Sequence, residues 1–335
     1  MSVTIVDVAR EAGVSRTTVS NVFNNRAKCS EATRLAVLEA ARKLGYKPNL
    51  VAKALITNRT RLIGLILPSY VDRNTLTSSP FYNIILDGIY ATLRSELYYD
   101  LIIFSVSSQD GLVQVSDWID ARRVDGILAI GEYEERFLRE LDAKGIPVVL
   151  IDNYAPASYA HLSYVNSDDL TGGYLATRKL IGGGYQRIAL CSVAFHSPLM
   201  QRRYEGYRKA IQESGQEEHI FERNGLPFEA GLQLVEALLE HQIEAAFCTE
   251  DMLAIGLLHG LLQKNVHVGA EFGLVGFDHL HFSRQVYPPL TTIDQNIFEK
   301  GEAATRMLLD IINQKTSAGS RLILPVRLIE RATAR

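Results

Sequence analysis

Long apolar runs are missing from these 335 residues: no stretch of 18 apolar positions occurs, so no helical membrane span is expected. From Val3 to Arg10 apolar and charged side chains mix, which lacks the continuous apolar core of a secretory signal. Cysteine is scarce as well. Cys29, Cys191 and Cys248 are widely spaced and odd in number, giving neither a C-x-x-C pair nor a disulfide framework, as expected of a chain in a reducing cytoplasm. There is no Walker A motif, and no Ser or Cys nucleophile stands in a recognisable setting. Gly182-Gly183-Gly184 follows a helical pattern instead of opening one, so it reads as a helix stop and not a phosphate cradle. Among eight histidines, His279 and His281 lie two apart without a third ligand at zinc spacing. No metal, no other cofactor and no enzymatic activity is expected.

What is present is ordinary in bulk and uneven in detail. An apolar fraction of 47% and a charged fraction of 22% suit a soluble globular protein, and the length suggests two or three domains. The net charge of −3 hides a division: residues 1–60 hold ten Lys/Arg against four Asp/Glu, a net +6, leaving −9 for the rest. A small basic head on an acidic body points to nucleic-acid binding, although charge alone also allows a solvated helical cap.

The head reads as three helices. Ile5, Val8, Ala9 and Ala12 recur at helical spacing, and Gly13 then supplies a sharp turn because it takes positive φ without steric cost. Ser15 is placed to accept from a free amide of the next helix, with Thr18 three residues on. Val19, Val22 and Phe23 would bury against the first helix, leaving Arg16, Thr17, Ser20 and Asn21 outward or at the rim. A third helix opens at Ser30, runs through Leu35, Val37, Leu38 and Ala41, and stops at Lys43-Leu44-Gly45. Two short helices about a glycine turn, the second presenting Arg, Thr and Asn, describe a helix-turn-helix. Arg can bridge the acceptors of guanine and Asn those of adenine, each worth about 1–3 kcal/mol of discrimination.

The run VTIVDVAREAGVSRTTVSNVFNNRAKCSEATRLAVLEAARKLGYKPNLVAKAL resembles the DNA-binding head of the lactose-repressor/galactose-repressor (LacI/GalR) family of bacterial regulators. The similarity is dense from Val3 to Leu55. It carries Thr4, Ser15, Arg16, Thr17, Thr18, Ser20, Asn21, Asn24, Asn49, Ala52, Lys53 and Leu55 over as candidate DNA contacts. Leu50–Leu55 is too short for a stable helix in water and could be a plain linker. The resemblance implies instead a hinge helix that folds over the minor groove, with Leu55 wedged between base pairs and Ala52 allowing two hinges to approach. The family often has Arg where Lys53 stands, which leaves that contact less defined.

Beyond Arg61, strand-like runs (LIGLIL, DLIIFSV, GILAI, PVVLI, RIALCSV, EAAFC, FGLVGF) alternate with amphipathic helical stretches, the pattern of parallel sheets covered on both faces. Two such units fit. The expected division is a helix-turn-helix head at about 1–48, a hinge and linker at about 49–60, and a bilobed α/β body at about 61–335. Lobe 1 would take about 61–162 plus 294–319, and lobe 2 about 163–291 plus 320–335. A helix, IFEKGEAATRMLLDII, and a closing strand, LILPVRLIE, would end it. The body is similar to the family's effector domain, itself like periplasmic sugar-binding proteins.

Ligands of such folds lie beyond the carboxyl ends of strands, here between the lobes. Asp152 follows PVVLI and Asp278 follows LVGF at those ends, where a buried, unpaired carboxylate would be costly. The resemblance adds Arg203, in the R-x-x-G-aromatic stretch of QRRYEGYRKA, with Arg202 as its surface neighbour. It also adds Phe81 as a candidate packing aromatic and Glu250, where many members carry Asn. The acid should favour hydroxyl-rich or cationic ligands. Gln295, Phe228 and Tyr70 complete the effector set.

The resemblance thus implies a cytoplasmic, nucleoid-associated repressor: a homodimer on palindromic operator DNA, controlled by a small carbohydrate-class effector, with no membrane role. No leucine heptad follows the last strand, which favours a dimer over a tetramer. The alternatives are a periplasmic-type sugar-binding protein without a DNA role, and a ligand that acts as corepressor instead of inducer.

Overall fold

The computed structural model describes residues 3–24, 29–46, 59–68, 79–95, 99–106, 111–156, 158–193 and 197–335. The chain divides into two units, Met1–Arg61 and Leu62–Arg335.

The first unit holds α1 (Ile5–Glu11), α2 (Arg16–Asn24) and α3 (Glu31–Leu44). Val8, Ala9, Val19, Val22, Val37, Ala40 and Ala41 form its core, with Ile5, Ala12 and Phe23 packed against it. Gly13 turns the chain with φ +64. Ser15 Oγ then accepts the Thr18 amide at 3.0 Å, and Ser30 Oγ caps α3 by accepting the Thr33 amide at 3.2 Å. On α3 the buried stripe is Val37, Ala40 and Ala41, whereas Leu35 and Leu38 are 57% and 42% exposed.

The second unit begins with β1 (Leu62–Pro68), α4 (Pro80–Ser95), β2 (Asp100–Val106), α5 (Gly111–Asp120), β3 (Gly126–Ile130), α6 (Glu135–Ala143), β4 (Val148–Ile151) and β5 (Leu162–Ser167). It continues through α7 (Asp169–Gly182), β6 (Ile188–Ser192), α8 (Pro198–Ser214), β7 (His219–Glu222), α9 (Pro227–Glu240), β8 (Ala245–Cys248), α10 (Asp251–Gln263), β9 (Gly273–Asp278) and β10 (Thr291–Asp294). The chain closes with α11 (Ile297–Ile312), β11 (Arg321–Leu324) and β12 (Arg327–Ile329).

Two six-stranded sheets result, ordered β11-β5-β4-β3-β1-β2 and β12-β10-β9-β8-β6-β7. Among the described residues all strand pairings are parallel except β10 with β12. Each sheet therefore contains the same doubly wound order, with chain reversal beside β1 in one and β6 in the other. Such an order opens a crevice at the carboxyl ends of the central strands. β3 and β4 are buried at every position, as strands covered on both faces must be.

Three strands, β5, β7 and β10, carry no long apolar run and were not expected. In β5 the buried Ser163, Asn166 and Ser167 are satisfied by partners elsewhere: Asn166 Nδ2 donates to the Asn153 carbonyl, and its Oδ1 accepts the Asn153 amide. The edge strand β7 is too short and half-exposed to show periodicity. In β10 the buried Thr292 hydroxyl is matched by Asp251. The first crossing between lobes accordingly falls after Ser167, not near 162, because β5 belongs to the first sheet. LILPVRLIE, expected as one closing strand in lobe 2, is two. β11 joins β5 in the first sheet and β12 joins β10 in the second, with Pro325, which has no N–H for a ladder, between them.

Candidate effector cleft and nucleic-acid-facing helix

On the head, the polar side of α2 is accessible. Arg16 and Thr17 are exposed, while Ser20 and Asn21 are half-buried at the rim. Among the described residues Arg16, Thr17 and Asn21 have no side-chain partner, so their donors and acceptors stay open to a ligand. Ser15 and Thr18 are differently employed: their hydroxyls lie 2.9 Å apart and hold the start of α2. Thr4 likewise caps α1, its amide and hydroxyl donating to Asp7 Oδ2 at 2.9 and 2.7 Å. Those bonds hold the Asp7 carboxyl below the ordinary range. Asn24 ends α2. Asn49, Ala52, Lys53, Leu55 and Tyr70 lie outside the described residues.

In the body, the strand-end carboxylates fall within one buried polar network. Asp152 follows β4 in a left-handed conformation, φ +56, and Asp278 ends β9 at φ +127. His279 and Asn296, next to Asp278 and Gln295, also have positive φ. Strained backbone gathered at one place is characteristic of functional sites. Lys300, on α11 and with no exposed surface, donates to Asp152 Oδ1 at 2.5 Å and to Gln295 Oε1 at 2.7 Å. Gln295 Nε2 donates in turn to Asp278 Oδ1 at 2.5 Å, and the Asp251 amide to Asp278 Oδ2 at 3.3 Å. Asp152, Lys300 and Gln295 are thereby joined to lobe 2.

Arg203, on α8 and only 2% exposed, is the other buried cation among the described residues. Its Nε donates to Asp169 Oδ1 at 2.9 Å and its Nη1 to the Thr249 carbonyl at 2.5 Å, and the guanidinium lies 3.7 Å over the Phe277 ring. Burial opposes the charge, but Asp169, Asp278 and Asp152 outweigh it and hold the Arg203 pKa above its usual value. Burial pushes the acids up as well. Asp278 stands well above the carboxylate range despite Arg203, with Asp251 and Glu250 raising it further. Asp251 is pushed to about 7 by burial, although Thr292 and the Leu280 amide favour its ionised form. Glu250 follows β8 and starts α10. Its carboxyl is raised by burial and opposed by Arg203, and it takes no hydrogen bond from any described residue.

Arg203 reaches its position because α7 and α8 cross at near contact. A Cβ on Gly173 would lie 2.1 Å from the Arg203 carbonyl oxygen, and one on Gly206 would lie 2.1 Å from that of Leu170. Further bonds span the lobes: Glu132, after β3, accepts Ser197 Oγ at 2.6 Å and the Leu199 amide at 3.2 Å at the start of α8. Tyr154 donates to Asp169 at 2.9 Å, and Arg202 lies 4.8 Å over its ring.

Of the sequence-derived candidates, Asp152, Asp278 and Gln295 are drawn into one network; Arg203 acts on its two carboxylates through charge, and Glu250 stands within the field of Arg203. Phe81 lies 5.8 Å from Lys300 Nζ. Phe228 is not brought to the network; it packs on the lobe 2 core, 6.0 Å from the His259 ring. Lys300, Asp169, Asp251 and Tyr154 were missed. Lys300 had a signal: it falls three residues after Ile297 on the apolar stripe of α11, where a lysine needs a buried partner. Asp169 was masked by Asp168, the actual cap, whose Oδ1 accepts the Thr171 amide at 3.1 Å. His279 faces Asp294 at 3.3 Å, and no group of three metal-ligating side chains occurs among the described residues.

Residues 4–49 match the family described as bacterial regulatory proteins, lacI family, and residues 177–334 match the periplasmic binding protein-like domain. The chain is 32% identical over 335 residues to catabolite control protein A of Priestia megaterium, covering 98% of each. It is 30% identical over 339 residues to the HTH-type transcriptional repressor PurR of Mannheimia succiniciproducens, covering 99% of this chain and 98% of that one. Among solved structures it is similar to the lac repressor dimer bound to operator and the anti-inducer ONPF (TM-score 0.82, 25% identity, 99% of both chains). It is also similar to a transcriptional regulator CelR–cellobiose complex (TM-score 0.74, 28% identity, 99% of both chains). With a helix-turn-helix head and a two-lobed periplasmic-binding-protein-like body, the chain belongs to the lacI family of bacterial regulatory proteins, which are transcriptional regulators and not enzymes.

Proposed function

We propose that this chain is a repressor that binds a near-palindromic operator as a homodimer in the cytoplasm, and releases or grips it according to a small polar effector held between the two lobes. The observation that carries the reading is the buried Lys300–Asp152 and Gln295–Asp278 network at the strand ends, joining the lobes where a ligand would enter. A ligand that competes for these groups changes how the lobes close. Support for an effector there comes from relatives solved with cellobiose and with an anti-inducer, and support for the dimer from the lac repressor dimer on its operator. A carbohydrate-class ligand suits the density of carboxylate and guanidinium groups, which bind hydroxyls.

In this reading the side chains of α2 enter the major groove, with Arg16 and Asn21 reading bases and Thr4, Ser15, Thr17, Thr18, Ser20 and Asn24 placed toward phosphates. Asn49, Ala52, Lys53 and Leu55 would form the minor-groove hinge. Selection of duplexes from a random-sequence pool by the full chain is the test. Enrichment of a two-fold symmetric site with half-sites about one helical turn or less apart is expected. A pool that stays unenriched after repeated rounds at low salt overturns the operator reading.

A further inference from the structure

The groups left unmatched in the cleft specify the charge of what binds there, and the inference rests on the effector reading above. Four acids, Asp152, Asp169, Glu250 and Asp278, face two buried cations, Arg203 and Lys300. Both cations are already committed: Lys300 to Asp152 and Gln295, Arg203 to Asp169 and the Thr249 carbonyl. Asp278 receives Gln295 and the Asp251 amide. Glu250 alone among these acids takes no hydrogen bond or ion pair from the described residues; it is half-buried, and solvent reaches its carboxylate. The start of α10 and the field of Arg203 ease its charge without supplying a donor. Arg202 is exposed and lies over Tyr154, while Arg331 and His279 act on Asp251.

Arg203, 2% exposed, keeps its third guanidinium nitrogen without an acceptor among the described residues. Asp152, 5% exposed, keeps its second oxygen without a donor. Among the described residues the unpartnered positions are therefore mostly acceptors, with one donor. Among the described residues an anionic ligand would find only the third guanidinium nitrogen of Arg203, whose charge is shared with Asp169, and would meet Glu250. A neutral ligand would enclose that carboxylate unpaired, which is costly. We propose that the effector is a small hydroxylated molecule bearing a positively charged nitrogen, of the amino-sugar kind, with its ammonium received by Glu250 and a hydroxyl or ether oxygen by Arg203.

The test uses the full chain in a thermal-shift assay against the small-molecule extract of the bacterium that carries it, divided on ion exchangers into cationic, neutral and anionic fractions. The cationic fraction is expected to raise the melting temperature, and a Glu250→Gln chain should need at least tenfold more of it. A shift confined to the neutral or anionic fraction overturns the charge assignment and leaves the effector cleft standing. Silence of all three fractions removes the effector reading and this inference together.

Discussion

A lysine ammonium without exposed surface must be matched by acceptors, and Lys300 finds Asp152 and Gln295. Removing it would leave the Asp152 carboxylate enclosed and unpaired. We expect Lys300→Met to cost about 3–5 kcal/mol in urea unfolding, with much of the loss recovered on adding Asp152→Asn. A loss below about 1 kcal/mol for the single variant would show the pair to be dispensable. On the head, Arg16 has no partner among the described residues, so its replacement should leave folding intact. Against single-base variants of the selected duplex, Arg16→Ala should flatten preference at one position by about 1–3 kcal/mol. An unchanged preference profile removes it as a base reader. At this scale the sequence was legible where chemistry and position coincide: Asp152 and Asp278 directly after apolar strands, Gly13 before a capping serine. It was not legible for Lys300, because helical periodicity says which face is buried and not which distant carboxylate meets it.

At the scale of elements, the α7–α8 crossing sets the reach of Arg203, one turn before Gly206. Gly206→Ala puts a methyl group against the Leu170 carbonyl and must push the helices apart. A cost of about 1–3 kcal/mol is expected from this overpacking, together with weaker stabilisation by any effector, as Arg203 is drawn away from Asp169. A chain with parental stability and parental effector response would contradict that arrangement. The helices and the fully apolar strands could be read from periodicity, because their burial is written in their own side chains. β5 and β10 could not. Their buried Ser, Asn and Thr are satisfied by groups far along the chain, Asn153 and Asp251, which no local pattern reveals. The same limit hid the division of LILPVRLIE between sheets.

For the whole molecule, buried acids with raised pKa values make stability depend on pH in a definite sense. Between the unfolded value near 3.8 and about 7, folded Asp251 holds a proton that the unfolded chain has released. Its contribution is therefore most favourable below that window and declines as pH rises through it. Asp294 acts oppositely: its carboxyl, held far below 3.8 by His279, Arg327 and the Asn296 amide against the pull of burial, contributes stability above that value and loses it in acid. Urea unfolding of the full chain at about pH 4.5 and 7.5 should show a smaller decline in Asp251→Asn than in the parent chain. Equal declines would mean that Asp251 ionises freely in the fold.

We propose that what binds in the body alters how the head holds DNA. The most direct measurement is fluorescence anisotropy of the selected duplex with the full chain, at fixed salt, with and without a small molecule that stabilises the body. We predict a change in duplex affinity of about 5–150-fold at saturation, corresponding to a coupling of about 1–3 kcal/mol. Identical affinity at saturating ligand would contradict the claim.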